Sequence, residues 1–233
     1  GRAADPHALK HTMSQEQRIL ASWQDNAEPW IRLIQHQGIP SRRVSDPAIE
    51  HAILRYQPQQ VLDVGCGEGW LCRRLSKHGI HTTGIDAIPA LVSSARARHP
   101  EGDYHCLAFS ELEAGLDKRF DLAVCNFSLF GEQSVTGLLG ALQTQLTPNG
   151  ILLVQTLHPV MACEGDYRDG WRETHWQGFE GDFGQAPPWY FRTLESWLEL
   201  FRLCGYQVRL EEPLDPQRKL PVSVIFHARP GQR

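Results

Sequence analysis

The segment Val61-Leu-Asp-Val-Gly-Cys-Gly-Glu-Gly69 constrains this chain more than any other. An apolar run carrying one acid leads into three glycines at alternate positions, and a helical pattern follows. Glycine permits turn conformations that other residues avoid and lets a ligand approach the backbone, while a helix start offers free N–H groups. The pattern predicts a ligand-binding turn at the C-terminal end of a buried strand.

Its surroundings repeat the same texture. Short apolar runs at 61–65, 82–86, 104–109, 121–127 and 151–157 are separated by helical patterns at 69–78, 89–98 and 134–146. Runs without polar alternation suit a parallel sheet covered on both faces, and their alternation with helices predicts a doubly wound α/β fold. A helix over 193–204, a strand over 206–210, a proline-containing connection and a strand over 222–228 complete it. Upstream, residues 14–37 read as two short helices with a bend at Pro29, and Asp46-Pro47 reads as the cap and first position of a helix ended by Pro58.

Residues 158–192 have no sustained period, and eight aromatic residues stand among their glycines and prolines. A loop of that length is functional or disordered, and the aromatic content argues against disorder. The expected organisation is a tag remnant or disordered segment over 1–12, a helical cap over 13–58, and an α/β domain over 59–233 that carries 158–192 as an insertion.

Composition removes other classes. A chain of 233 residues can bury one sizeable core. Its net charge of −4, without a basic run, argues against a nucleic-acid partner. No stretch reaches the roughly 18 apolar residues of a membrane span and no secretory core is seen, so the expected location is the cytoplasm. The six cysteines lack CxxC or CxxC…HxxxH spacing, which points away from a zinc site or a disulfide framework.

The glycine spacing narrows the ligand. A nicotinamide-binding turn reads GxGxxG, whereas this one reads GxGxG with Asp63 two residues before the first glycine. A carboxylate there repels a pyrophosphate and attracts an ammonium group such as that of methionine, directly or through water. Asp86 ends the next apolar run, 23 residues after Asp63, where a carboxylate can accept both hydroxyls of a ribose.

On these residues the chain resembles the class I S-adenosylmethionine-dependent methyltransferases, over 61–228. VLDVGCGEG is similar to their glycine-rich motif and GIDA (84–87) to their ribose-binding motif. The resemblance implies a Rossmann-like, seven-stranded, mostly parallel sheet with an antiparallel last strand. It also implies S-adenosyl-L-methionine as cofactor, S-adenosyl-L-homocysteine as product, a small-molecule acceptor and no required metal. Asp63, Gly65, Cys66 and Gly67 would line the methionine part, Asp86 the ribose, and Ala87 and Ile88 the adenine. In LAFSEL (107–112), Ala108 stands where the family often has an adenine-binding Asp, which leaves adenine to Ala108, Phe109, Ser110 or Glu111. Asn126 and Phe127 would lie beside the transferred methyl, in a run (DLAVCNFSLF) ending at Phe130. Arg43 is the candidate for the methionine carboxylate, as in relatives that use an arginine from an N-terminal cap.

Several residues keep two readings. His158 is either a base for an acceptor proton or a loop histidine fixed by Pro159. Trp30 either packs the cap or covers the ligands, and the aromatic insertion is either a satellite core or a substrate lid carrying Trp176 and Tyr190. Cys66 reads as a small residue in a tight turn rather than a nucleophile. A non-catalytic S-adenosylmethionine-binding module is the alternative function, and a nicotinamide oxidoreductase is disfavoured by GxGxG.

Overall fold

The structure is a computed structural model, described over residues 13–231. The expectation for 1–12 lies outside these residues. Strands β1 (Gln60–Val64), β2 (His81–Asp86), β3 (Asp103–Cys106), β4 (Phe120–Asn126), β5 (Leu146–Thr156), β8 (Tyr206–Glu211) and β9 (Val224–Pro230) form a seven-stranded sheet, while β6 (Gly170–Arg172) and β7 (Trp189–Phe191) pair separately. The large sheet has the order β3-β2-β1-β4-β5-β9-β8. All its pairings are parallel except those of β9, which runs antiparallel between β5 and β8.

The apolar runs are continuous because both faces of the sheet are buried. On one face Leu62, Val64, Ala123, Cys125, Leu152, Val154 and Phe226 pack against α7 (Gln133–Gln145) and α9 (Leu194–Leu203) through Leu138, Leu142, Trp197 and Phe201. On the other, Val61, Leu122, Val124, Ile151, Leu153 and Ile225 meet Ile49, Ala52 and Ile53 of α3 (Arg42–Leu54) and Leu71 and Leu75 of α4 (Trp70–Ser76). Alternate residues of each strand supply the two faces. α5 (Pro89–Arg98) crosses between β2 and β3, and the short α6 (Leu112–Gly115) precedes β4.

Chain order reverses between β1 and β4, so a cleft opens above the C-terminal ends of β1, β2 and β4. Two elements roof it. One is the pair α1 (Gln15–Asp25) and α2 (Ala27–Gln35); the other is the segment after β5, which begins with α8 (Pro159–Ala162) and contains β6 and β7.

Three local expectations are corrected. The first bend falls at Asn26, and Pro29 sits within the first turn of α2, where its missing N–H costs nothing. α3 starts at Arg42 rather than at Asp46-Pro47, because the Asp46 carboxylate is taken by the Arg42 guanidinium (Nη2–Oδ2 2.9 Å) and does not cap the helix. β3 ends at Cys106, and Phe109–Glu111 form a 3-10 turn closed by the Glu111 carboxylate on the Ala108 N–H (2.8 Å).

Candidate active site

The turn after β1 is held by the next strand: Gly65 N and Cys66 N both donate to Ile85 O (2.8 and 2.9 Å). Gly65 and Gly67 have φ of +78° and +56°, in the left-handed region that favours glycine. They serve different ends. A side chain at Gly65 would overlap Ser128, whose hydroxyl donates to Val64 O (2.8 Å), whereas a Cβ at Gly67 would meet no protein atom within 4 Å and would project into open space.

Asp86, at the end of β2, is fixed by this turn. Its Oδ2 accepts from Gly67 N (2.9 Å) and its Oδ1 from Ile88 N (3.0 Å), so each oxygen keeps one lone pair for a ligand. Burial pushes its pKa up against the pull of those two N–H groups. Asp63 lies deeper, 2% exposed, with Cys72 Sγ 3.7 Å from its carboxylate. Burial pushes Asp63 up to about 7, and the charge of Asp86 adds to the shift. A cation over this floor would relieve both carboxylates. Burial and the same acids raise the Cys66 thiol, which suits a packing residue and not a nucleophile.

Asn126 ends β4. Its Oδ1 accepts from Gln155 Nε2 (2.7 Å); Gln155 also donates to Ser45 O (3.2 Å) and accepts from Ser223 Oγ (2.7 Å). Gln155 and Ser223 are fully buried, so this network fixes the Asn126 amide at the cleft edge. The chain then turns at Phe127, a non-glycine residue with φ +52°, whose N–H donates to Gln155 O (2.9 Å).

One cavity of about 1210 Å³ joins these features to the roof. Gly65, Cys66, Gly67, Asp86, Ala87, Ile88, Ala108, Phe109, Asn126 and Phe127 line its floor and side, and Trp30, Phe130 and Trp176 line the roof half. Drug-sized ligands occupy pockets of roughly 300–1,000 Å³, so this volume takes two small molecules side by side.

Four expected residues do not line it. Asp63 sits beneath the floor. Arg43 is exposed, and its neighbour Arg42 lines the cavity instead, because α3 begins early and turns Arg42 and Ser45 inward. His158 is 5% exposed and accepts from Val160 N with its own Nδ1 (3.3 Å) as the cap of α8, while its Nε2 faces Glu212 (3.4 Å). Tyr190 points to the back of β7, against Trp171 and beneath Arg192; Trp189, one residue earlier on the alternate face, is the lining residue.

Sequence reasoning missed Arg42, Gln155, Asn26 and Trp189. Gln155 had a signal, a lone amide inside the apolar run ILLVQTL. The others depend on helix phase, strand parity or partners far along the chain.

Asn26 joins the two roof elements. Fully buried, it donates to Gln185 O (2.9 Å) and accepts from Gly184 N (2.7 Å). Ser22 Oγ donates to the same Gln185 O (2.7 Å), and Arg18 grips Glu173 with two hydrogen bonds of 2.9 Å. Arg192, 5% exposed, donates to Gly131 O and Glu132 O (3.1 and 2.9 Å), and Tyr190 N donates to Phe130 O (2.7 Å), which fastens the insertion to the loop after β4.

A sequence profile of the methyltransferase domain matches residues 32–211. The chain belongs to the class I S-adenosylmethionine-dependent methyltransferase family. Among curated relatives of this chain, a ubiquinone biosynthesis O-methyltransferase of Xylella fastidiosa is 35% identical over 108 residues, which is 45% of this chain and 44% of that protein. The chain spans about half the length of the curated relatives it matches. The fold is shared with solved structures. One is the 1,6-didemethyltoxoflavin-N1-methyltransferase of Burkholderia thailandensis (TM-score 0.64, 19% identity, 100% of this chain and 93% of that one). Another is an S-adenosylmethionine-dependent methyltransferase of Mesorhizobium loti (TM-score 0.57, 23% identity, 79% and 99%). The expected sheet, with its antiparallel last strand, is the observed one. No helix among the described residues is long and apolar enough to cross a membrane.

Proposed function

We propose that this protein transfers the methyl group of S-adenosyl-L-methionine to a small-molecule acceptor, in the cytoplasm and without a nucleic-acid partner. The observation that carries the reading is the single cavity shared by the Gly67–Asp86–Asn126 floor and an aromatic roof half large enough for a second ligand. The floor fits the cofactor on its own chemistry: open space above Gly67, two spare lone pairs on Asp86 for a ribose diol, and acidic groups raised by burial that favour a cation. The cofactor of the B. thailandensis complex, S-adenosylhomocysteine, agrees with that fit.

When bound, the sulfonium supplies an already activated methyl group, so the protein's task is alignment, worth up to roughly 7–11 kcal/mol in well-oriented systems. Asp86 would hold the ribose, Ala87 and Ile88 with Ala108 and Phe109 would enclose the adenine, and Asn126 with Phe127 would border the methyl. Arg42, which lines the cavity, would take the role expected of Arg43 toward the methionine carboxylate. The insertion acts as a substrate lid together with α1 and α2, and excludes water from the transfer. His158 orders α8 and does not serve as base, since both its ring nitrogens are engaged away from the cavity.

Calorimetry with S-adenosylhomocysteine, followed by an assay of its release from S-adenosylmethionine over a metabolite panel, tests the reading. Binding with turnover is the expected result. Tight cofactor binding with no turnover on any acceptor would favour a non-catalytic module, and absence of binding would overturn the proposal.

A further inference from the structure

The roof half of the cavity is built from rigid flat side chains whose planes are fixed by one another. Trp23 meets Trp30 edge to face (centroids 5.1 Å, 84°), Trp23 meets Trp176 likewise (5.8 Å, 83°), and Phe130 lies 5.6 Å from Trp23. Trp176 is backed by Phe183, which stacks on it at 4.4 Å and 23° without lining the cavity itself. Aromatic walls held this way lose little rotamer freedom on binding and favour partners with a π-face or a polarised ring edge. Leu20, Ile34, Leu157 and Met161 also line the cavity.

Charge around the same compartment is one-sided. Glu16, Glu113, Glu164 and Glu173 line the cavity, whereas among the described residues its arginines and lysines are limited to Arg42 and Arg172. Arg42 is paired with Asp46, lies over the Trp70 ring at 4.7 Å and is assigned to the methionine carboxylate at the cofactor end. Arg172 is spent inside the insertion: it donates to the carbonyls of Cys163, Asp166 and Arg168 and lies 4.1 Å over the Phe191 ring. His175 stands exposed at the rim. An anionic acceptor would therefore face more carboxylates than cations, with Glu173 offset by Arg18 and both lining arginines already engaged.

We infer that the acceptor is a flat, conjugated ring compound without negative charge, held against the aromatic wall that Trp23, Trp30 and Trp176 build together. This rests on the proposed cofactor reading, because the aromatic half is assigned to the acceptor once the floor is assigned to the cofactor. It extends that reading by excluding carboxylated, phosphorylated and saturated acceptors that the fold alone would admit.

Three matched probes separate the alternatives: 2-naphthol (flat, neutral), 3-hydroxy-2-naphthoate (flat, anionic) and decahydro-2-naphthol (neutral, not flat). The full chain is first titrated with S-adenosylhomocysteine by calorimetry, and a missing signal there strikes the cofactor reading alone. The saturated complex is then titrated with each probe. The expected result is at least tenfold tighter binding of 2-naphthol than of either comparator, equal to about 1.4 kcal/mol. A preference below tenfold against either one, with the cofactor bound, overturns the inference. In Trp176→Ala, S-adenosylhomocysteine affinity should persist while the preference for 2-naphthol over its saturated analogue shrinks. Retention of the full preference in that variant also overturns it, and should the variant not fold, the three titrations of the unaltered chain still decide.

Discussion

The floor and the roof of the cavity are made in opposite ways. The floor at Gly67 and Asp86 is assembled over short distances in sequence and across adjacent parallel strands, with backbone N–H groups of the turn and of Ile88 fixing Asp86. The roof is assembled from segments more than 150 residues apart, joined by side chains such as Asn26 and Arg18. A binding surface dictated by backbone geometry tolerates few substitutions, whereas one tied together by side chains can be loosened without losing the fold. The contrast can be broken experimentally, beginning where its effect should be largest.

Gly67→Val should reduce S-adenosylhomocysteine affinity below detection while the protein stays folded, because the new side chain enters ligand space at a left-handed backbone position. Gly65→Val should instead lower thermal stability, since its side chain overlaps Ser128. Equal behaviour of the two variants in calorimetry and melting would mean that the floor does not divide into ligand-facing and protein-facing glycines.

Asp86→Ala is the next largest. Loss of a charged acceptor should cost about 1.5–3 kcal/mol, roughly 10–150-fold in cofactor affinity. Unchanged affinity by calorimetry would remove the ribose contact from the floor.

A roof variant should behave otherwise. Asn26→Ala leaves Gly184 N without its partner and Gln185 O with the Ser22 hydroxyl alone, and should destabilise the protein by about 1–3 kcal/mol. Acceptor use should weaken while cofactor affinity stays within about twofold, by the logic of non-overlapping contacts. A parallel fall in cofactor affinity would show that floor and roof are coupled.

Asp63 adds a pH test of the floor. Its folded pKa, about 7, lies above its ordinary 3.8, so the native state holds the extra proton between these values and this contribution to stability is lost as pH rises through that window. Asp63→Asn should be more stable than the parent at pH 8, on the order of 2–4 kcal/mol, and alike at pH 4. The ionised form favours a cationic ligand, so cofactor affinity of the parent should rise by up to about tenfold from pH 6 to pH 8 and stay flat in Asp63→Asn. The smallest effect belongs to Arg43→Ala, whose exposed side chain should leave cofactor affinity unchanged, whereas Arg42→Ala should weaken it severalfold.

The same contrast explains what was readable in advance. The alternation of strands and helices, the glycine turn and the two acids follow from local pattern, since continuous apolar runs and closely spaced glycines leave marks within a few residues. Arg42 was hidden because Asp46-Pro47 is a persuasive helix start, yet the Asp46 carboxylate binds a side chain and the helix begins a turn earlier. His158-Pro159 suggested a cleft-facing base, but a histidine preceding a helical proline can satisfy its own N-terminus. Trp189 and Tyr190 are adjacent aromatics on a three-residue strand, where parity alone decides which faces the cavity, and nothing in the sequence states the parity. Asn26 needs partners at 184 and 185, beyond the reach of any local signal.

The Asn26 clamp has a practical meaning for anyone who would retarget this scaffold. Residues 15–35 and 158–192 form one exchangeable cassette written in two places. A chimera that imports either segment from a relative inherits an unmatched amide, carbonyl or carboxylate at the seam. Grafting both together carries that seam intact and leaves the loop after β4, which meets Glu16, Tyr190 and Arg192, as the second seam to match.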